Sequence, residues 1–162
     1  NAMGFSCNMP EVWKAIEEGS QAFPTFYQSY YETLLAGLRC GEDGEHLIDR
    51  LVKLGVERTK ATEGQSFYAR MFWVASGYWT KNVLTSDIID WTRMKAGMLD
   101  VLQRYPDPWN VNNFALLACQ GRQAAIAREL LPKALEAPVV KVWKTSERFK
   151  ACWDWAMTTA AK

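Results

Sequence analysis

Between Val111 and Ala134 the apolar and small residues recur at intervals suited to two helices packed against each other. Val111, Phe114, Ala115 and Ala118 mark one helix, and Ala127, Leu131 and Ala134 mark the next. Counted from Val111, the offsets are 3, 4, 7, 16, 20 and 23. Each set lines one face of a 3.6-residue period, and large residues alternate with small ones, which lets two antiparallel helices approach closely. The flanking residues agree with this reading. Asp107 is placed as an N-cap, Pro108 as a first helical residue, and Gly121 as the turn. A chain built around such a hairpin is constrained toward a helical scaffold.

The remaining segments between turn signals also read as helices. Pro10 opens a short one carrying Val12, Trp13 and Ile16. Pro24 is read as the first turn of the next, whose stripe is Tyr27, Tyr30, Tyr31, Leu34, Leu35 and Leu38. Asp43 is expected to cap a third helix carrying Leu47, Ile48, Leu51, Val52 and Val56, with Gly55 as a soft spot. A fourth runs from Ser66 to Tyr78, Lys81 to Ser86 reads as a loop, and Asp87 or Asp90 caps a fifth through Met94, Met98 and Val101. The last starts near Ser146 and carries Phe149, Cys152, Trp153 and Ala156. The Val139-Val140 pair is too short to build a sheet. The expectation is an all-α single domain over residues 1–162, made of antiparallel hairpins at Pro24 to Glu63, Ser66 to Tyr105 and Pro108 to Ala137, with the last helix covering the end of the stack.

The spacing over Val111 to Ala134 resembles one tetratricopeptide repeat, and residues 108–137 are the best-matching hairpin. That resemblance implies a short tetratricopeptide-like α-solenoid with a groove for a protein or peptide. Pro132 departs from the pattern, because a proline inside a helix removes a backbone bond. A longer set of segments also resembles an uncharacterised bacterial family of the domain-of-unknown-function type. These are Tyr68-Ala69-Arg70, Trp91, Met94-Lys95, Arg104 to Asn110, Asn112 to Ala115 and Ala127 to Leu130. The second resemblance implies a helical fold and supplies no activity.

Composition narrows the function classes. Nineteen basic and eighteen acidic residues leave a formal net charge of +1. Such a balance gives no field that would draw in nucleic acid or an anionic membrane surface, and neither partner is expected. No apolar run is long enough to span a bilayer. The four cysteines, Cys7, Cys40, Cys119 and Cys152, are widely spaced with no CxxC, so they are read as reduced and the chain as cytoplasmic. Asn1-Ala2 ahead of Met3 looks like an expression-tag remnant.

Catalytic signatures are missing from the sequence. His46 is the only histidine and sits on a charged helix, and no GxSxG, GxxxxGK or HExxH occurs. Asp87 with Asp90 reads as capping, and Glu17 with Glu18 as an exposed face. No catalytic residue, metal site or cofactor is therefore expected. Asn112 and Asn113 lie mid-helix, where asparagine is a poor helix former. They either hydrogen-bond the preceding Pro-Asp-Pro turn or line a groove and bond a peptide backbone. Arg70 and Trp73 are residue types that dominate interfaces. The leading expectation is a non-enzymatic scaffold binding a protein or peptide through Arg70, Trp73, Asn112 and Asn113. The alternative is a small-molecule binder or enzyme with a pocket closed by Tyr27, Tyr30, Tyr31 and Trp79.

Overall fold

The computed structural model describes residues 7–78 and 82–159. Among them are nine α-helices, one 3-10 turn and no strand, so the chain is all-α. It divides into two compact units between Val83 and Leu84. The expected hairpin from Ser66 to Tyr105 straddles that division, and Trp79 lies outside the described residues.

The first unit contains α1 (Met9–Ala22), α2 (Tyr27–Arg39), α3 (Gly44–Glu63) and α4 (Ser66–Tyr78). Pro24 precedes α2 rather than opening it, and the first helical residue is Tyr27. Asp43 caps α3 as its sequence position suggests, accepting from the Glu45 amide at 3.1 Å. Gly55 lets α3 and α4 approach closely. A Cβ at Gly55 would overlap the Phe67 ring, so the position read as a weak point is a deliberate close approach between the two helices. Tyr30, Leu34, Leu47, Leu51, Phe67 and Met71 form a fully buried centre around it.

The second unit contains α5 (Trp91–Arg104), α6 (Pro108–Gln120), α7 (Ala124–Glu136), α8 (Val140–Trp143) and α9 (Ser146–Thr158). Asp90 caps α5 through the Thr92 and Arg93 amides at 2.8 and 3.1 Å, and Asp107 caps α6 through the Trp109 amide at 2.7 Å. The α6–α7 hairpin forms where the small-residue spacing puts it. Ala115, Ala118, Ala127, Leu131 and Ala134 are all fully buried. Pro132 stays inside α7 on its exposed side. Arg128 then fixes the last helix: its guanidinium donates to the carbonyls of Ala156 and Thr159 at 2.8 and 2.9 Å, satisfying the C-terminal end of α9.

The cysteines depart from expectation. Cys7 is bonded to Cys40 and Cys119 to Cys152, with Cα separations of 5.5 and 5.9 Å, and no free thiol remains. Each bridge lies within one unit. The first ties the segment before α1 to the end of α2, and the second ties α6 to α9. The reading of four reduced thiols is overturned, because partners 33 residues apart in sequence are neighbours only once the helices pack.

Candidate functional site

Asn112 is a buried polar side chain of the second unit with four hydrogen bonds. It has no exposed surface. Its Nδ2 donates to the carbonyls of Pro108 at 2.8 Å and Ala137 at 3.0 Å. Its Oδ1 accepts from the Val139 amide at 3.1 Å and from Trp143 Nε1 at 2.7 Å. Two donors and two acceptor positions are thus all used, which is the full capacity of a primary amide. Of the two readings of Asn112, the bond to the Pro-Asp-Pro turn is present in its contact with the Pro108 carbonyl. Asn113 is half-buried and donates to the Trp109 carbonyl at 2.8 Å.

Holding residues 137–143 in place has a consequence for the surface. Pro138, Val140, Trp143, Thr145 and Phe149, together with Leu135 of α7, line a groove of about 340 Å³. Trp143 is buried beneath it and meets Phe149 edge-on, with ring centroids 4.7 Å apart. Leu135 and Val140 remain 54% and 75% exposed at its border. Lys144, with φ +69°, contributes the cation at the edge. Sequence reasoning missed this groove. Its signals were Val139-Val140, set aside as a failed strand, and the isolated Trp143 after Pro138.

Arg70 and Trp73 belong to the first unit and are half-buried. The Arg70 guanidinium lies 4.9 Å from the centre of the Tyr27 ring. The Tyr27 hydroxyl donates to Oε2 of the buried Glu63. Burial, then the Glu63 hydrogen bond and charge, push the Tyr27 phenol well above its ordinary value. Burial raises Tyr31 as well, to about 12, with Arg70 opposing and Glu63 adding to the effect. Tyr30 is fully buried, donates to the Pro24 carbonyl at 3.2 Å and packs edge-on against Phe67. It is a core residue of the first unit.

Other candidates resolve simply. His46 is exposed on α3. Asp90 is a cap, and Glu17 pairs with Arg50 at 2.9 Å. Among the described residues no group of three or more His, Cys, Asp or Glu side chains is placed to hold a metal. None of the described helices is long and apolar enough to cross a membrane. In comparisons with known proteins, no family model, curated protein or solved structure matches the chain.

Proposed function

We propose that this chain is a non-enzymatic helical scaffold that binds a protein or peptide segment, and that the second unit carries the contact surface. The observation behind this reading is the apolar groove bordered by Leu135 and Val140 and floored by Trp143. Its volume of about 340 Å³ accommodates one or two apolar side chains of a partner. The α6–α7 hairpin, with buried alanines on both helices, supports the tetratricopeptide-like character suggested by its spacing. Selection of peptides from a displayed random library tests the proposal. Peptides that bind the native chain and fail on Leu135→Glu and Val140→Glu variants support it; equal binding to all three rejects this surface.

A small-molecule pocket is the second reading, favoured by the buried Glu63 carboxylate hydrogen-bonded to Tyr27 beside Arg70. Ligand-dependent change in tyrosine fluorescence, lost in Tyr27→Phe, would distinguish it. The compartment follows the cysteines. A cytoplasmic assignment rested on free thiols, and a disulfide in each unit favours an oxidising compartment instead.

A further inference from the structure

The end of α6, the turn after it and the face of α9 joined to α6 by the Cys119–Cys152 bridge frame a second recess in this unit, independent of the apolar groove and of the function read from it. Its volume is about 240 Å³, and Gln120, Arg122, Arg148 and Trp155 supply its polar and aromatic lining, between Leu116 and Ala151. Among the described residues no carboxylate lines it. Neither arginine forms an ion pair among the described residues. The acids nearest along α9 are occupied otherwise: Asp154 holds Lys150 at 2.5 Å, and Glu147 accepts from Ser146 at 3.1 Å. Two solvent-exposed guanidinium groups thus border one recess.

The backbone adds a second observation. Arg122 has φ +58°, in the left-handed region where a side chain is disfavoured. It follows the C-cap Gly121 and donates its amide to the Cys119 carbonyl at 3.2 Å, while the Gln123 amide reaches the Ala118 carbonyl at 2.8 Å. That is the helix-ending position where glycine is the usual choice. A glycine is present one residue earlier, where a Cβ would overlap the Trp91 ring. The chain thus places a long cation where its backbone favours none, and strain of this kind clusters at functional sites. The Arg122 guanidinium lies 5.5 Å from the centre of the Trp155 ring. Such a pairing fixes the planar group and leaves its edge donors available.

We propose that this recess binds an organic anion: an oxyanion head, phosphate ester or carboxylate, carried on an aromatic or apolar body. Arg122 and Arg148 engage the head, Gln120 provides a neutral donor, and the body lies along Trp155 between Leu116 and Ala151. Guanidinium forks match both kinds of head bidentately, so the test must separate them.

Titration of the native, disulfide-bonded chain followed by the Trp155 indole resonance, assigned with Trp155→Phe, decides the matter. The probes are phenyl phosphate, benzoate, inorganic phosphate and benzylammonium. Saturable shifts are expected with phenyl phosphate or benzoate, and the stronger of the two names the head. Arg148→Gln should weaken binding roughly tenfold, the loss of one charge-assisted bond. Arg122→Gly should weaken it similarly while raising the thermal midpoint, an opposition that a merely structural arginine would not produce. The absence of a saturable shift with either aromatic anion overturns the proposal. So does binding of benzylammonium as strong as that of the anions, equal affinity for bare phosphate, or undiminished affinity in Arg122→Gly.

Discussion

Trp143 donates its indole N–H to the Asn112 side-chain oxygen at 2.7 Å, joining α8 to the middle of α6 across 31 residues of sequence. The same oxygen holds the Val139 amide, and the same side chain's nitrogen holds the Ala137 carbonyl. One buried amide thus sets the path of the segment that shapes the groove. Replacing Asn112 with alanine leaves several of these partners unsatisfied in a buried site. Asn112→Ala should destabilise the second unit by ~3 kcal/mol, and the emission of Trp143 should shift toward that of a solvated indole. Chemical denaturation followed by fluorescence checks both. An unchanged midpoint would mean the amide does not hold the segment.

Gly55 should resist replacement even by alanine. In a helix interior alanine is favoured over glycine by about 1 kcal/mol. Overlap of the new methyl with Phe67, which has no room to move in a fully buried centre, opposes that gain with ~1–3 kcal/mol. The net effect of Gly55→Ala is expected to be a lowered thermal midpoint. A raised midpoint would show that propensity outweighs packing at this contact.

The disulfides should be detectable without any structure determination. Alkylation of the unfolded chain in the absence of reductant is expected to modify no cysteine, since all four are bonded. For a closed loop of this length the chain-entropy estimate is about 3.7 kcal/mol per bridge. Cys119→Ser with Cys152→Ser should therefore lower stability by that order. Four alkylated thiols would restore the reduced state read from the sequence.

Alkaline stability should report the tyrosines around Glu63. In the unfolded chain Tyr31 ionises near pH 10, whereas burial holds it protonated to about 12 in the folded unit. Between those values the folded state binds more protons, so stability falls as pH rises from 10 toward 12. Below that window its contribution is fully present. Denaturation midpoints collected across the range should fall more steeply for the native chain than for Tyr31→Phe. Parallel curves would contradict the buried-phenol account.

The helices were legible because their signals are local. Asp43, Asp90 and Asp107 cap the helices their positions suggested, and the alanine spacing from Ala115 to Ala134 located the α6–α7 hairpin. What depends on packing was hidden. Gly55 reads as a helix weakness until Phe67 is set against it, and Cys119 as a small apolar residue until α9 brings Cys152 alongside. The four-residue helix α8 is too short for any periodicity to mark it. The groove draws its lining from α7, α8, α9 and the segments joining them, so no stretch of sequence announces it. Arg70 and Trp73 fall in the first unit and Asn112 and Asn113 in the second, so the four residues chosen for a common groove do not belong to one unit.

Hydrogen exchange of the native chain with and without a selected peptide tests the central claim most directly. Binding in the apolar groove should slow exchange at the amides of residues 139–149, together with the end of α7 around Leu135. It should leave the amides around Tyr27, Glu63 and Arg70 unchanged. Protection confined to that tyrosine cluster, with none along residues 139–149, would contradict the account and move the binding surface to the first unit.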